Sequence, residues 1–334
     1  MRTVELTAPH RLELTERDDP RPGPGEVRIA VHSVGICGTD LDFYRGRRPT
    51  VYPFVLGHEC SGRIDMVGSG VTGLRIGSRV TVRPNFGCGT CELCKEGRDN
   101  ICPNSRGLGV TIDGCLAEYI IAPADYVWPL PEGMSLETGS LIEPVAVAER
   151  AVRRAGDIAG RRVVVIGSGP IGLFALQIAK ANGGEVTVID PVPERLERAK
   201  DLGAEGVYPP SAVSAADDAR GFDAVIETAG VAETVPLAID LLRPGGRVVL
   251  TGIPMEAAPL ATRFVVWREL ELVGSFTYTK EDFERASDRI RDNDIEGVGL
   301  ITHRFDLKRA SDGFAVAADR GGLKVIIKVR EEVD

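Results

Sequence analysis

The spacing of apolar and polar residues divides the chain into two regions of different character. In the first region, apolar residues alternate with polar ones along residues 26–34, a period of two that predicts a half-buried strand. Short strands are also predicted at 79–82 and 118–121, between turns rich in glycine and proline. This pattern favours an antiparallel, barrel-like N-terminal domain.

From about residue 161, strand-like and helix-like segments alternate. In chain order they are strand 162–166, helix 170–182, strand 185–189, helix 194–202, strand 222–226, helix 233–242 and strand 247–250. Such alternation is typical of βαβ units around a parallel sheet. Two last strands, at 302–305 and 324–329, are expected to return to the first domain. We therefore predict one domain of residues 1–145 completed by 285–334, and a second domain of 146–284.

Composition and charge narrow the possible partners. A chain of 334 residues with 43% hydrophobic residues can bury a core without disulfides. Its net charge of −9 argues against non-specific binding to nucleic acid or to an anionic membrane. Glycines interrupt the most apolar stretch, 163–179, and the N-terminus lacks an apolar secretory segment, so neither a membrane span nor export is expected. The sequence therefore predicts a cytoplasmic protein that acts on small molecules.

A glycine motif follows the first strand of the second region. The strand 162–166 runs into the sequence G-S-G-P-I-G, residues 167–172, which opens a helix. Gly167 permits a tight turn, Gly169 lets the backbone approach a pyrophosphate, and Gly172 lets the helix pack against the strand. The helix N-terminus then offers free N–H groups to the phosphates. The motif predicts a dinucleotide site.

Asp190 indicates which dinucleotide is bound. It closes the second strand, 18 residues beyond Gly172, where its carboxylate can accept hydrogen bonds from the adenosine ribose and repel a 2′-phosphate. NAD is therefore favoured over NADP, although Arg195 lies nearby; alternatively, Asp190 caps the turn before Pro191. The other expected cofactor contacts are Pro170, Ile171, Thr251, Gly252 and Ile253.

Four cysteines are spaced like metal ligands. Cys88, Cys91, Cys94 and Cys102 form the pattern C-x2-C-x2-C-x7-C in a segment with few apolar residues to bury. Four thiolates can close tetrahedrally around Zn²⁺ and leave no open position, which defines a structural site. An iron–sulfur cluster is the alternative, because it also uses four cysteines.

Three further motifs complete a resemblance to a known family. They are G-I-C-G-T-D at 35–40, G-H-E at 57–59 and E-P at 143–144. With the cysteine loop and the glycine motif, they make nearly the whole chain resemble the zinc-containing medium-chain dehydrogenase/reductase (alcohol dehydrogenase) family, in its sorbitol/threonine dehydrogenase-like branch. The resemblance implies an α/β protein with a GroES-like antiparallel β-barrel catalytic domain and a Rossmann domain, a doubly wound parallel sheet that binds the cofactor. It also implies a homodimer or homotetramer.

The resemblance implies a second, catalytic zinc ion. Cys37, His58 and Glu143 correspond to its ligands, and Glu59 corresponds to an alternate ligand that replaces water. A thiolate, an imidazole and a carboxylate with one open position suit catalytic zinc. Taken alone, Cys37 would more often be a small buried residue and His58 a structural histidine.

The same resemblance implies a reaction. Zinc lowers the pKa of an alcohol, which favours hydride transfer to NAD. Thr39 corresponds to the first proton relay group, but Asp42 stands where many relatives carry a histidine. Asp42 could accept the proton, bind a cationic substrate group or face water.

We therefore expect oxidation of a secondary alcohol, such as a polyol, a cyclitol or aminocyclitol, or a sugar-like substrate, to a ketone. A threonine or sugar-phosphate dehydrogenase of the same family is an alternative. A different alternative is a non-catalytic, dinucleotide-binding redox sensor that keeps zinc only for structure. Counting zinc ions separates these classes, because the enzyme needs two per chain, the sensor one, and zinc-free reductases of the same fold none.

Overall fold

The computed structural model describes residues 1–213, 221–319 and 321–331, which form two compact units. Unit 1 comprises Met1–Glu143 and Gly297–Asp334, and unit 2 comprises Pro144–Glu296. Each unit contains its own cluster of buried apolar side chains. None of the helices in the described part of the chain is long and apolar enough to cross a membrane.

Unit 1 is built mainly from antiparallel strands. A seven-stranded sheet has the order β10-β6-β5-β3-β18-β17, with β9 also paired to β3; β2, β1 and β4 form a second sheet, and β7 pairs with β8. The strands are β1 (Arg2–Ala8), β2 (Arg11–Glu16), β3 (Glu26–Gly35), β4 (Phe54–Val55), β5 (Glu59–Val67), β6 (Arg79–Val82), β7 (Asn85–Phe86), β8 (Arg106–Gly107), β9 (Tyr119–Pro123), β10 (Val127–Pro129), β17 (Ile301–Asp306) and β18 (Lys324–Lys328).

Strand β3 organises this sheet. Val27, Ile29 and Val31 alternate along it and are almost completely buried, so the strand predicted from the period of two is confirmed. At its end, Gly35 lies opposite Glu59 of β5, while Ile326 of β18 pairs with Gly35 from the other side. Three distant segments of the chain therefore meet at the end of β3.

The helices of unit 1 are short. They are α1 (Gly38–Tyr44), α2 (Glu92–Lys95), α3 (Leu136–Gly139) and α10 (Ala310–Ala318), while α4 (Ile142–Arg154) begins in unit 1 and continues in unit 2. Helix α1 has a capping box, in which Cys37 is the N-cap residue and the Asp40 carboxylate accepts the Cys37 backbone N–H.

Unit 2 contains the predicted parallel sheet and its helices. The elements are β11 (Arg162–Ile166), α5 (Pro170–Ala181), β12 (Glu185–Ile189), α6 (Pro193–Asp201), β13 (Gly206–Tyr208), β14 (Phe222–Glu227), α7 (Thr234–Leu241), β15 (Leu242–Leu250), α8 (Thr262–Trp267), β16 (Glu271–Gly274) and α9 (Lys280–Arg291). All neighbouring strands are parallel, in the order β13-β12-β11-β14-β15-β16. The order reverses between β11 and β14, which is where doubly wound sheets bind ligands at the carboxyl ends of their strands.

Candidate metal centres and cofactor site

Three potential metal ligands meet in unit 1. The Cys37 sulfur, a ring nitrogen of His58 and a carboxylate oxygen of Glu59 all lie within 4.8 Å of one another. Cys37 caps helix α1; Glu59 is the first residue of β5 and His58 directly precedes it, next to the end of β3. His58 and Glu59 are buried, whereas Cys37 is half-buried. The three side chains therefore offer one sulfur, one nitrogen and one oxygen donor to a metal ion.

Asp40 joins the segment that carries Cys37 to the segment that carries His58. Its carboxylate is fully buried and accepts backbone N–H groups from Cys37 at 2.9 Å and from Gly57 at 3.0 Å. Burial opposes the charge, but His58 and these N–H groups outweigh it and lower the pKa of Asp40. Asp40 is therefore ionised, and it fixes the Cys37 turn to the His58 turn. Sequence reasoning gave it no role, although an acidic residue at the third position of a helix is a capping signal.

The electrostatics of His58 favour positive charge at this site. Burial disfavours an imidazolium, but the Asp40 carboxylate and the Cys37 sulfur raise the pKa of His58 well above its usual value. The His58 Nδ1 atom lies 3.5 Å from an Asp40 oxygen and has no hydrogen-bond partner among the described residues. A divalent cation would be stabilised by the same environment, so the donors fit zinc in both chemistry and charge.

A buried lysine completes the surroundings of Glu59. Lys324 of β18 forms an ion pair with Glu59, and its ammonium group also donates to the Ile36 carbonyl at 3.1 Å. A Cβ atom on Gly35 would lie 2.1 Å from a Glu59 oxygen, so the glycine leaves room for this pair. Sequence reasoning missed Lys324, because β18 carries a lysine at each end and no local signal distinguishes the buried one.

The structure does not bring Glu143 into this set of donors. Glu143 lies in the first turn of α4 and is largely buried. Among the described residues, the cluster within 4.8 Å contains Glu59 in its place. Glu143 as a zinc ligand therefore stays a prediction.

The predicted relay residues lie on helix α1. Thr39 is half-buried in the first turn, and Asp42 follows three residues later, on the same face. One Asp42 oxygen is 3.8 Å from the terminal guanidinium nitrogen of Arg47, and the other is 3.9 Å from Arg48 Nε. Two positive charges thus already face Asp42, which disfavours the alternative in which it binds a cationic substrate group.

The four predicted structural ligands form a second cluster. The sulfur atoms of Cys88, Cys91, Cys94 and Cys102 all lie within 4.8 Å of one another. A Cβ atom on Gly87 would lie 2.9 Å from Cys94 Sγ, so the loop needs glycine there.

Backbone groups prepare this loop for thiolates. Hydrogen bonds from Thr90 and from backbone N–H groups lower the pKa of Cys88 to about 5, whereas burial raises the pKa of Cys94 to about 12. The Cys88 N–H points at Cys102 Sγ over 3.4 Å, and the Cys91 N–H at Cys88 Sγ over the same distance. Such donors stabilise sulfur ligands, in keeping with a closed, four-thiolate zinc site.

The glycine motif in unit 2 has the backbone geometry that a pyrophosphate requires. Gly167 has a φ of +92°, and a Cβ atom on Gly172 would lie 1.8 Å from the Gly167 carbonyl. Gly169 caps helix α5, with Pro170 and Ile171 in its first turn, and nothing lies within 4 Å of where its Cβ would be. The open cradle beside a helix N-terminus fits a dinucleotide phosphate. The buried Ser168 hydroxyl has no hydrogen-bond partner among the described residues.

Asp190 makes the contacts expected if it caps the turn before Pro191. Its two oxygens accept N–H groups from Ser168 at 2.7 Å and from Val192 at 2.9 Å. It therefore ties the glycine loop to the end of β12, and its contact with a ribose stays a prediction. Arg195 is half-buried in the first turn of α6.

The loop after β15 carries the last predicted cofactor contacts. Thr251 has a buried hydroxyl without a hydrogen-bond partner among the described residues, and Ile253 is half exposed. The Thr251 and Gly252 N–H groups donate to the Glu227 carbonyl, while the Glu227 carboxylate accepts the Ala229 N–H at 2.8 Å. Burial raises the pKa of Glu227 despite these donors. Sequence reasoning missed Glu227, which holds the loops after β14 and β15 together.

Comparison with known proteins agrees with this geometry. Residues 23–132 match the family "Alcohol dehydrogenase GroES-like domain", and residues 170–292 match the family "Zinc-binding dehydrogenase". Sorbitol dehydrogenase of Bacillus subtilis is 36% identical over 86% of this chain and 85% of its own length.

Solved structures show the same similarity. Galactitol-1-phosphate dehydrogenase of Escherichia coli is 32% identical, with a TM-score of 0.92 over 98% of this chain and 100% of that one. An alcohol dehydrogenase of E. coli CFT073 complexed with NADH is 33% identical, with a TM-score of 0.93 over 98% and 99% of the two chains. The chain belongs to the zinc-containing medium-chain dehydrogenase/reductase family, in its sorbitol dehydrogenase-like branch, and the predicted GroES-like and Rossmann folds are confirmed.

Proposed function

We propose that this protein oxidises a secondary hydroxyl of a polyol or a related sugar-like alcohol to a ketone, with NAD as the hydride acceptor. The observation that carries the proposal is the meeting of Cys37, His58 and Glu59 within 4.8 Å, separate from the closed set of four cysteines. One cluster thus suits a catalytic zinc ion with an open position, and the other suits a structural zinc ion. The relatives named for sorbitol and galactitol-1-phosphate support a polyol substrate.

Each residue of the catalytic cluster has a distinct part. Cys37, His58 and a carboxylate, from Glu59 or Glu143, would hold zinc, which supplies the positive charge that lowers the pKa of the substrate hydroxyl. Asp40, whose carboxylate lies 3.5 Å from His58 Nδ1, orients the imidazole, and Lys324 restrains Glu59. The Thr39 hydroxyl would relay the substrate proton, because its Oγ1 accepts that proton while the hydroxyl releases its own proton to water.

The cofactor loops of unit 2 orient the dinucleotide. The N–H groups at the start of α5, with Gly169 at their edge, would bind the pyrophosphate, and Asp190 would accept hydrogen bonds from the ribose hydroxyls. NAD held there would supply the hydride acceptor. Thr251, Gly252 and Ile253 follow β15, at the carboxyl edge of the sheet where further cofactor contacts are expected. Residues 1–145 with 285–334 would then serve catalysis, and residues 146–284 cofactor binding.

We also propose that the enzyme is a cytoplasmic homodimer or homotetramer. None of the seven cysteines forms a disulfide, as expected in a reducing compartment. Strand β16 is an edge strand of its sheet, and Val266, Trp267 and Phe276 around it are exposed. An edge strand beside exposed apolar side chains is suited to pairing with a second copy. The molar mass in solution tests this assembly.

The test of the reaction combines a metal count with an activity panel. We expect two zinc ions per chain by elemental analysis, and NADH formation with secondary alcohols from a panel of polyols, amino alcohols and sugar phosphates. One zinc ion per chain with no turnover of any alcohol would instead support the non-catalytic redox sensor.

A further inference from the structure

The segment after helix α1 concentrates positive charge on an acidic protein. The whole chain has a net charge of −9, yet residues 43–57 contain three arginines and no carboxylate. One of the three, Arg45, donates to the Ala318 carbonyl at 2.5 Å and so serves the packing of α10. Arg47 and Arg48 remain, and both face Asp42.

These two guanidinium groups are not satisfied by Asp42. The contacts of 3.8 Å and 3.9 Å are longer than hydrogen bonds, and the Arg48 Nε atom is buried without a hydrogen-bond partner among the described residues. Arg47, Arg48 and Asp42, called the trio below, carry a net charge of +1. An unpaired buried donor is costly unless an acceptor arrives, so the arrangement suits a bound oxyanion.

The backbone holds this pair of arginines in place. The N–H groups of Arg47 and Arg48 both approach the Asp42 carbonyl, at 2.8 Å and 3.4 Å, which folds the chain back over the last turn of α1. The Arg48 guanidinium lies over the Phe43 ring, 5.9 Å from its centroid. Arg48 is mostly buried and Arg47 mostly exposed. Arg48 can therefore contact a ligand from a fixed position, whereas Arg47 can move to meet it.

Helix α1 links the arginines to the reacting centre. Asp42 lies three residues after Thr39 and five after Cys37 in the same short helix, a rise of about 7.5 Å from the ligand end. A charged group several bonds from the reacting carbon is therefore the kind of substituent that could reach Arg47 and Arg48.

We infer that Arg47 and Arg48, balanced by Asp42, form an oxyanion subsite, and that the preferred substrate is an alcohol carrying a phosphate or a carboxylate. This inference rests on the proposed dehydrogenase function and narrows its substrate class. Arginine suits the role because its planar fork binds both oxyanions through two hydrogen bonds. On a protein of net negative charge, such a local patch is also needed to attract an anionic substrate.

The first test compares three substrates of one carbon skeleton: sorbitol, sorbitol 6-phosphate and gluconate. We expect the wild-type kcat/KM to be higher for at least one anionic substrate than for sorbitol. Arg48→Gln should lower kcat/KM for the anionic substrate about tenfold to hundredfold, the effect of losing a charged hydrogen bond, and leave sorbitol within about twofold. Arg75→Gln is the matched control, because Arg75 is an exposed arginine of the same unit, and it should change neither value.

Two further variants guard against misfolding. Arg48→Lys keeps the charge but loses the fork, so it should show a smaller, equally selective loss. Asp42→Asn raises the net charge of the trio from +1 to +2 and should lower KM for the anionic substrate. The phosphate and carboxylate arms distinguish which oxyanion is preferred.

A binding experiment separates this inference from the proposed function. Calorimetric titration with inorganic phosphate needs no turnover, and we expect Arg48→Gln to weaken binding about tenfold or more relative to the wild type and to Arg75→Gln. If no alcohol is oxidised but this difference is found, the proposed function fails and the oxyanion subsite stands. An equal loss for sorbitol and its phosphate, no wild-type preference for an anionic alcohol, or a rise only in KM for NAD would overturn the inference.

Discussion

Lys324 and Glu59 form a buried ion pair between the last strand of the chain and the first residue of β5. Both side chains are almost completely hidden from solvent. The pair lies beside the Cys37 and His58 donors, so Lys324 competes with a metal ion for the negative charge of Glu59. The availability of Glu59 as a metal ligand therefore depends on Lys324, a residue far away in the sequence.

Replacing the lysine should expose this competition. Lys324→Met leaves the Glu59 carboxylate buried without its partner, which we expect to cost about 3–5 kcal/mol in the free energy of unfolding without metal. Adding zinc should raise the unfolding free energy of Lys324→Met more than that of the wild type, because Glu59 is free to bind zinc in the variant. Urea unfolding with and without zinc measures both effects.

Lys328→Met is the matched control, since Lys328 lies on the same strand but is half exposed. It should cost less than about 1 kcal/mol. An unfolding free energy of Lys324→Met equal to that of the control would show that the buried pair does not restrain Glu59.

The two zinc sites should respond differently to loss of a cysteine. Cys37→Ala should remove one zinc ion and nearly all turnover while the protein stays folded, because a catalytic metal closes no loop of its own. Cys91→Ala should lower stability, because binding of a structural zinc ion is coupled to folding of its loop. Elemental analysis and thermal unfolding check these outcomes.

Cys60→Ala serves as the control for this pair, because Cys60 is buried but belongs to neither cluster. It should keep two zinc ions. Two zinc ions and full activity in Cys37→Ala would contradict the catalytic metal assignment.

The motifs were the part of the site that the sequence could predict. The glycine loop and the four cysteines are local patterns whose spacing reflects one ligand, and the strands of the parallel sheet follow from short apolar runs. Cys37 and His58 were predicted only through the resemblance of the joined motifs to a known family. Lys324 could not be predicted, because its role depends on β18 pairing with β3 beside Gly35. No local pattern encodes a contact between strands so distant in sequence.

Strand β15 shows a second limit. It was predicted at 247–250, but it begins at Leu242 and runs through the sequence R-P-G-G. Proline and glycine favour a turn locally, and here the pairing of Phe222 with Leu242, followed by a register shift, extends the strand. Tertiary pairing overrides the local signal.

Asp190 should control the choice between NAD and NADP. Asp190→Ala removes the ribose acceptor and the charge that repels a 2′-phosphate, so NAD affinity should fall about tenfold to hundredfold while relative use of NADP rises. Because Asp190 also accepts the Ser168 and Val192 N–H groups, the alanine variant should lose stability as well.

Asp190→Asn separates these two roles. The amide oxygen can still accept one of the turn N–H groups, whereas the negative charge is gone. We expect relative NADP use to rise with a smaller loss of thermal stability than in Asp190→Ala. An unchanged ratio of NAD to NADP efficiency in both variants would leave Asp190 as a turn cap alone.

A second buried ion pair tests the packing of unit 2. The Glu149 carboxylate, hidden in α4, accepts Arg289 Nε of α9 at 2.6 Å, and Arg289 also donates to Asn182 at 2.8 Å. Arg289→Ala leaves Glu149 as an uncompensated buried charge and should cost about 3–5 kcal/mol in unfolding free energy. Arg285→Ala, one turn earlier on α9, removes only an exposed pair with Glu281 and should cost about 0.3–0.5 kcal/mol. Equal costs for the two variants would refute the structural role of Glu149.

Thr39 should be the first group to receive the substrate proton. Thr39→Val nearly keeps the shape of the side chain but removes the hydroxyl, so we expect kcat to fall about a hundredfold or more, as for other lost acid–base groups. Zinc content and the KM for NAD should hold, because neither depends on the hydroxyl. Thr39→Ser restores the hydroxyl and should recover most of the turnover, which a merely structural role of the methyl group would not predict.

The variant Asp42→Asn tests whether the proton passes from Thr39 to Asp42, on the same face of α1. Because the positive charges of Arg47 and Arg48 face Asp42, we expect this variant to change KM for anionic substrates and to leave kcat and its pH profile nearly unaltered. A fall in kcat together with a shifted pH profile would instead make Asp42 the acceptor after Thr39, and full turnover in Thr39→Val would remove Thr39 from the relay altogether.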